Sequence, residues 1–207
     1  MPIPSQLFVA GTDTDVGKTL VSAVLTLGLK AHYFKPFQTG RELGRDAETV
    51  ARLTGLGADH FSPDGLCLEK PLSPHLAARL AGLLIDPAQI NLPQVSQKHL
   101  VVEGAGGLLV PLNERDLLID WLAQRKLPVV LVARSGLGTI NHSLLSIEAL
   151  RLAGIPLLGV VLNGPKNPEN AAAIAQFGGC RILAQLEPMA KLDQGSLLAA
   201  WNQFSWE

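Results

Sequence analysis

The sequence has little charge, few aromatic residues and only two cysteines. Asp, Glu, Lys and Arg make up 17% of the 207 residues, and the formal net charge is −1 at pH 7. So neutral a chain has no electrostatic footprint for nucleic acid or an anionic membrane, and we expect neither as a partner. Cys67 and Cys180 lie far apart without metal-ligand spacing. This indicates two reduced, core-type thiols and no disulfide.

Long apolar runs and a leader segment are also lacking. No apolar run has the length of a membrane span, and residues 1–6 do not have the basic start and apolar stretch of a signal peptide. We therefore expect a soluble, cytoplasmic protein. The length suits a single domain covering residues 1–207, and an apolar content of 47% is enough to cover a sheet on both faces.

Short apolar runs alternate with segments of helical periodicity along the chain. The runs at 7–10, 100–102, 128–133 and 156–162 are continuous, as in strands buried on both faces. This alternation predicts an α/β fold, with a mostly parallel sheet, right-handed crossovers and helices on both faces. Two further expectations are a long irregular connection over 55–74 and a helix from residue 74 to residue 84.

The most informative stretch is Gly-Thr-Asp-Thr-Asp-Val-Gly-Lys-Thr at 11–19, between a predicted strand and a predicted helix. A loop in this context turns backbone N–H groups toward a phosphate, while Lys18 supplies an ammonium and Thr19 a hydroxyl for Mg²⁺. Five residues separate Gly11 from Gly17, against the usual four. The sequence therefore predicts a stretched phosphate-binding loop.

Two acidic residues lie inside this loop, Asp13 and Asp15. Carboxylates repel a triphosphate unless a metal ion lies between them. A divalent cation is therefore implied.

Polar side chains follow three of the predicted strands: Lys35, Glu103 and Asn163. In open α/β sheets, ligands bind at the carboxyl edge where such residues meet. Glu103 is then a candidate magnesium ligand, and Asn163 a candidate for reading a nucleobase. The alternatives are a solvated lysine, a glutamate that caps a turn and a turn asparagine. Asp46 has the position of a helix cap.

A second glycine-bearing turn precedes a helix at 138–141. The backbone N–H groups at such a helix start can receive an anion.

Four motifs occur together and in one order, at 11–19, 35–40 (Lys-Pro-Phe-Gln-Thr-Gly), 103–107 (Glu-Gly-Ala-Gly-Gly) and 137–142 (Leu-Gly-Thr-Ile-Asn-His). As a set they resemble the dethiobiotin synthetase family, whose members have a P-loop NTPase-like fold. The resemblance implies an ATP-dependent cyclo-ligase of biotin biosynthesis. Its expected substrates are 7,8-diaminopelargonic acid, CO₂ or bicarbonate, and ATP, with Mg²⁺ as cofactor.

The resemblance also implies a role for each matching residue. Lys18 and Lys35 are expected to be catalytic, and Thr19, Asp46 and Glu103 to bind the metal, so that Asp46 becomes a ligand rather than a cap. The expected nucleotide-binding residues are Thr14, Asp15, Val16, Gly17, Lys18, Thr19, Glu103, Gly106 and Asn163; the expected substrate-binding residues are Lys35, Thr39, Gly138, Thr139, Ile140 and Asn141.

In this family the turn equivalent to 138–141 crosses a two-fold interface, which implies a homodimer with a shared active site. The resemblance weakens after Asn163, and residues 186–188 align only with a shift, so it does not specify the base pocket.

Two other classes share a P-loop of this kind. One is a carboxylate-activating synthase, which usually carries a glutamine-hydrolysing domain for which this chain has no room. The other is a regulatory, partitioning-type ATPase. Proteins of that class carry a second, signature lysine early in the loop, whereas this sequence has Asp13 in that region.

Overall fold

The computed structural model describes residues 2–206. Strands and helices alternate through most of the chain. The strands are β1 (Gln6–Gly11), β2 (His32–Phe34), β3 (Phe37–Gln38), β4 (Leu66–Cys67), β5 (Leu100–Gly107), β6 (Val129–Arg134), β7 (Leu157–Asn163) and β8 (Ile182–Leu186). The helices are α1 (Lys18–Leu29), α2 (Asp46–Thr54), α3 (Pro74–Leu80), α4 (Leu118–Arg125), α5 (Thr139–Leu152), α6 (Pro168–Gly178) and α7 (Gln194–Trp201).

The main sheet has six strands in the order β2-β5-β1-β6-β7-β8, and every pairing is parallel. Because β1 lies between β5 and β6, its carboxyl end opens onto the middle of the sheet edge. The carboxyl ends of β2 and β5 lie beside it, which brings their following residues to one place. The predicted fold class is confirmed.

Each face of the sheet is covered by its own group of helices. Alternate residues of β1 belong to different buried clusters, since Phe8 lies in the cluster with residues of α3, α4, α5 and α6, whereas Val9 lies in the cluster with residues of α1, α2 and α7. Both residues are fully buried. The apolar runs are continuous because helices cover both faces of the parallel sheet, so that successive residues of a strand are all buried.

Helix α3 ends at Leu80, and the expectation that it reaches residue 84 is wrong. Gly82 has φ +69°, a left-handed conformation, and the Leu83 amide bonds back to the carbonyl of Ala78. The turn closes there because Leu83 and Leu84 are largely exposed and bury no apolar face that would extend the helix.

The connection over 55–74 is not wholly irregular, as it contains β4, which pairs in parallel with β3. The side chains of β4 are only half-buried or exposed, so no apolar alternation announced it. Cys67 lies in this strand and is exposed, which corrects the expectation of a core-type thiol. Cys180 is half-buried, and both cysteines are free.

The end of the described chain docks on the α1 side of the sheet. Trp201, Phe204 and Trp206 stack on one another, with centroid separations of 5.7 to 6.0 Å, and pack against the buried core. Within residues 2–206 no helix combines the length and hydropathy needed to span a membrane.

Candidate functional site

A cleft of about 960 Å³ opens at the carboxyl ends of β1, β2 and β5. Its walls are the phosphate-binding loop, the segment from Gln38 to Thr49 and the turn before α3. Lys18, Thr19, Lys35, Thr39, Asp46, Glu103 and Gly106 all line it, together with Thr14, Asp15 and Gly17. Parallel strands whose carboxyl ends meet at one edge account for this convergence.

The loop has the backbone conformations of a phosphate cradle. Asp15 and Gly17 have φ values of +56° and +102°, so the chain reverses twice before α1 begins at Lys18. A β-carbon on Gly17 would lie 2.2 Å from the amide nitrogen of Asn163, which leaves room for glycine alone. Val16, between them, is buried.

Lys18 curls back over the loop, and its Nζ donates to the Asp13 carbonyl at 2.9 Å. Burial, together with the positive charge of Lys35, lowers the pKa of Lys18 to about 8. A phosphate in the cradle would supply the negative charge that this buried ammonium lacks.

Thr19, Lys35, Asp46 and Glu103 form one hydrogen-bonded cluster beside the loop. The Thr19 hydroxyl lies 2.9 Å from Asp46 Oδ1 and 2.9 Å from Glu103 Oε1. Lys35 Nζ bridges the two carboxylates, bonding to Asp46 Oδ2 and, at 3.1 Å, to Glu103 Oε1. Residues from α1, β5, the start of α2 and the connection between β2 and β3 thus meet within bonding distance.

The charges of this cluster stabilise one another. Burial alone would lower the pKa of Lys35, but the carboxylates of Glu103 and Asp46 outweigh it and hold the pKa above its ordinary value. Burial likewise would raise the pKa of Asp46, and the ammonium of Lys35 reverses that effect. Lys35 is therefore a permanent cation at the floor of the cleft.

Two buried polar residues hold the acidic residues in place, and neither was among the expected site residues. Tyr33 donates its hydroxyl to Glu103 Oε2 at 2.9 Å, and burial raises its pKa well above the ordinary value, so it remains a donor. Gln38 accepts the Asp46 backbone N–H at 3.1 Å. The spacing of Tyr33 and Lys35, two residues apart on one strand face, was the available signal for the first.

Asn163 and Gly106 both support the loop. Asn163 Nδ2 donates to the Val16 carbonyl at 3.0 Å, a contact across 147 residues of sequence. Gly106 has φ +64°, and a β-carbon there would lie 2.8 Å from Val110 and 3.6 Å from the Thr14 hydroxyl. The left-handed backbone and the nearby Val110 side chain therefore favour glycine at the end of β5, and Thr14 of the loop lies at ordinary contact distance.

The turn at 138–141 does not join the cleft of its own chain. It begins α5, and the buried Thr139 hydroxyl donates to the Arg134 carbonyl, whereas Asn141 is exposed. Arg134 in turn pairs with Asp13 of the loop at 2.8 Å. The structure therefore separates the turn from the other expected substrate-binding residues, Lys35 and Thr39.

The cluster has the chemistry of a magnesium site. Within residues 2–206 no three His, Cys, Asp or Glu side chains form a metal-binding group. The oxygens available are two carboxylates and one hydroxyl, gathered around the lysine ammonium that already neutralises them. Mg²⁺ in nucleotide sites takes one or two carboxylates and keeps several waters, so this donor set fits it.

A parallel sheet with a phosphate cradle after β1, and an acidic residue on the adjacent strand beside a P-loop threonine, defines a P-loop nucleotide-binding protein. A family model described as an AAA domain matches residues 5–196. Among solved structures, a ParA family ATPase from Chlorobium tepidum aligns with 95% of this chain and 90% of its own, at a TM-score of 0.54 and 14% identity. MinD of Pyrococcus horikoshii aligns with 94% and 86%, at a TM-score of 0.52 and 13% identity. These likenesses establish the fold alone.

Sequence relatives are more specific. The chain is 54% identical to an ATP-dependent dethiobiotin synthetase BioD of Paramagnetospirillum magneticum, covering 88% of each protein. It is 49% identical to the enzyme of the same name from Afipia carboxidovorans, covering 95% of this chain and 94% of the relative. It also matches, at 50% identity, 41% of a biotin biosynthesis bifunctional protein BioCD of Bordetella avium. The chain belongs to the dethiobiotin synthetase family, and the resemblance drawn from its motifs is confirmed.

Proposed function

We propose that this chain closes the ureido ring of dethiobiotin from 7,8-diaminopelargonic acid, CO₂ and ATP, releasing ADP and phosphate. The observation that carries this proposal is the meeting of Lys35 with Thr19, Asp46 and Glu103 at the mouth of the phosphate cradle. The names of the relatives support the activity, and the cluster supports the residues assigned to it.

The reaction needs activation because a carbamate oxygen is a poor leaving group. One amine of the substrate adds to CO₂, and the resulting carbamate oxygen attacks the γ-phosphorus of ATP while the bond to ADP breaks. The second amine then attacks the carbamoyl carbon of the mixed anhydride. Phosphate leaves, the amine loses its proton, and the five-membered ring is closed.

The chain's residues act mainly through position and charge. The loop residues Thr14 to Gly17 and Lys18 would hold the triphosphate, and Thr19, Asp46 and Glu103 would hold Mg²⁺, which neutralises phosphate charge when bound. Lys35, kept charged by its carboxylates, offers a cation where the carbamate and γ-phosphate must meet. Thr39, at the same wall, offers a hydroxyl to the diamine.

Asn163 is proposed to read the adenine base. One of its N–H groups is used by the Val16 carbonyl. A carboxamide has a second N–H and an oxygen that accepts, so its remaining valences suit the amino and ring nitrogens of adenine.

A homodimer is the remaining part of the proposal. Residues 138–141 lie outside the cleft of their own chain, and one exposed leucine precedes them while another follows on α5. We call Leu109, Leu137 and Leu145 the α5 surface; their side chains are 60%, 107% and 63% exposed. Pairing two such surfaces would bury them and carry the helix start, with its free N–H groups, toward the substrate carboxylate in the partner's cleft.

The activity is tested by incubating the protein with diaminopelargonic acid, bicarbonate, Mg²⁺ and ATP, and following phosphate and dethiobiotin together. We expect one phosphate for each dethiobiotin formed and negligible phosphate when the diamine is omitted. Phosphate released at the same rate without the diamine would contradict the proposal and indicate a regulatory ATPase.

The role of Lys35 is tested by Lys35→Ala. Because the ammonium acts at the reacting centre, we expect turnover to fall about 10²-fold or more with little change in the dissociation constant of ATP. Turnover comes from the phosphate assay and affinity from calorimetry in the absence of diamine. Equal losses in both would assign Lys35 to nucleotide binding instead.

A further inference from the structure

Tyr33 is the only tyrosine of the chain, and it lies fully buried beside the cluster. Its hydroxyl donates to Glu103 Oε2 at 2.9 Å. The other carboxylate oxygen, Oε1, faces Thr19 and Lys35 at 2.9 and 3.1 Å. The two oxygens of Glu103 are therefore divided between the core and the cleft.

The sheet register fixes this division. Tyr33 pairs with Val101, so Glu103 is its diagonal neighbour two residues further along β5, on the same sheet face. A tyrosine is long enough to span such a diagonal with its hydroxyl. The ring is held from the other side by Phe61, at a centroid distance of 6.2 Å. The phenol therefore cannot leave Glu103 without disturbing the core.

We propose that Tyr33 is a positioning residue that makes the metal site selective for Mg²⁺ over Ca²⁺ by allowing Glu103 to offer the metal only one oxygen. The inference rests on the proposed metal ligands Thr19, Asp46 and Glu103. Mg²⁺ takes few protein oxygens in strict octahedral geometry, whereas Ca²⁺ takes six to eight and favours carboxylates that bind through both oxygens. A glutamate whose second oxygen is hydrogen-bonded to tyrosine binds the metal through one oxygen, which suits Mg²⁺ better than Ca²⁺.

The substitution Tyr33→Phe tests this directly, since it removes only the hydroxyl. Glu103 Oε2 then becomes a buried acceptor without a donor. A rotation of the carboxylate that brings Oε2 to the cation would remove this unfavourable burial. We expect the dissociation constant of Mg²⁺ to rise about tenfold while that of Ca²⁺ rises less or falls, so that the preference for Mg²⁺ shrinks by about that factor.

The readout is binding rather than turnover. Mn²⁺ bound to the protein–ADP complex is followed by electron paramagnetic resonance, and Mg²⁺ and Ca²⁺ are titrated in to displace it. Thr26→Val is the matched control, because Thr26 is a fully buried α1 residue whose hydroxyl has no hydrogen-bond partner in the described part of the chain. It should keep the wild-type ratio of the two dissociation constants.

The outcomes distinguish failure of the proposed metal site from failure of the proposed role of Tyr33. A wild-type complex that binds no Mn²⁺ would overturn the proposed metal ligands, and this inference with them. A wild-type complex that binds Mn²⁺, with a Tyr33→Phe ratio equal to wild type, would overturn the inference alone. An equal loss of affinity for both ions, or the same change in Thr26→Val, would also overturn it.

A second measurement needs no substitution and applies even where Tyr33→Phe does not fold. Growth on 3-fluorotyrosine labels position 33 alone, because the chain has no other tyrosine. We expect the ¹⁹F resonance of the ADP complex to move by different amounts with Mg²⁺ and with Ca²⁺, since Glu103 would bind the two ions differently. Identical shifts, or none, would overturn the inference.

Discussion

Asp46 is the first residue of α2, directly after the N-cap residue Arg45, and a carboxylate in this first turn commonly stabilises the helix start. Its own side chain turns instead to Thr19 and Lys35. Gln38 takes the Asp46 backbone N–H, and Glu48 accepts the Arg45 N–H at 3.4 Å. Other side chains thus accept these two backbone N–H groups at the helix start, which leaves the Asp46 carboxylate available to a cation.

Asp46→Asn separates the two roles of this residue. The amide keeps the shape but loses the charge, so we expect the Mg²⁺ concentration for half-maximal turnover to rise about tenfold or more. The helix start keeps its partners, so a large part of any stability loss must come from the broken pair with Lys35. Unchanged Mg²⁺ dependence with a lower melting temperature would make the residue structural.

His32 gives the fold a pH dependence away from the cleft. Its ring nitrogens face Ser62 at 2.8 Å and Gln97 at 3.3 Å, and burial lowers its pKa below the ordinary 6.5. Asp59 and His60 lie near enough to act on it in opposite directions, and burial remains the larger effect.

As the pH falls below 6.5, the unfolded chain binds a proton at His32 before the folded chain does, so the free energy of unfolding decreases. We expect His32→Asn to reduce this decrease between pH 7 and pH 5, in urea titrations at each pH. The difference in the free energy of unfolding between wild type and His32→Asn should be constant above pH 7, where His32 is neutral in both the folded and the unfolded chain. A parallel pair of curves throughout would contradict the assignment.

The principal site residues were predictable because each follows a strand or a phosphate-loop signature, and strand ends in a parallel sheet share one edge. Lys35, Glu103 and the loop are of this kind. Tyr33 and Gln38 were not predicted, because inside short aromatic strands they looked like ordinary core residues. The spacing of Tyr33 from Lys35 indicates only its sheet face, since its bond to Glu103 depends on β5 lying beside β2. The role of Gln38 depends on how the chain returns from β3 to Asp46.

At the scale of elements, the packing of α1 against α7 depends on one glycine. A β-carbon on Gly28 would lie 2.2 Å from Trp201 Cδ2, although Gly28 itself has an ordinary helical backbone. The glycine therefore makes space for an indole ring rather than for a turn. This close approach is what docks the C-terminal aromatic cluster on α1.

Gly28→Ala should lower stability even though alanine favours helix. The propensity gain of about 0.5–1 kcal/mol is outweighed by an overpacking cost of about 1–3 kcal/mol. Gly195→Ala is the matched control within α7, because its β-carbon would meet only Asp193 Oδ1 at 3.4 Å, and we expect it to be neutral or stabilising. Urea unfolding of both measures the difference, and a stabilised Gly28→Ala would contradict the packing argument.

Element boundaries were predictable where periodicity was long and failed where apolar residues lacked a surface to bury. The leucines after α3 have helical spacing but are exposed, so periodicity overstated the helix. Strands β3 and β4 are two residues long each, and β4 is partly exposed, so the pair left no pattern. Both errors arise because tertiary packing determines these boundaries, and a local sequence pattern contains no information about that packing.

At the scale of the molecule, the cleft and a second groove both border the phosphate-binding loop. The second groove is lined by Thr12, Asp13 and His142 and by two leucines of the α5 surface, Leu109 and Leu145. A homodimer formed through this surface would connect the two sites, since residues 138–141 of one chain would reach the cleft of the other.

Leu145→Glu tests the homodimer. A charge there cannot be buried cheaply against a second apolar surface, so we expect a monomer by light scattering and turnover reduced about 10²-fold or more. ATP affinity should be nearly unchanged, because the loop and its cluster belong to one chain. Leu198→Glu, on the opposite side of the sheet in α7 and 45% exposed, should remain dimeric and active. A fully active Leu145→Glu monomer would exclude the shared site.

The insertion of β5 between β2 and β1 also sets an order of events during synthesis. Strand β1 pairs with β5 and β6 in the main sheet, so it has no strand neighbour until residues 100–107 exist, and until then β2 has only the single bridge from Tyr33 to Phe61. At about 5–20 residues per second, the first strand waits roughly 5–20 s on the ribosome with its apolar side chains uncovered. Each nascent chain is thus exposed to aggregation and to chaperones before the phosphate-binding loop can take its shape.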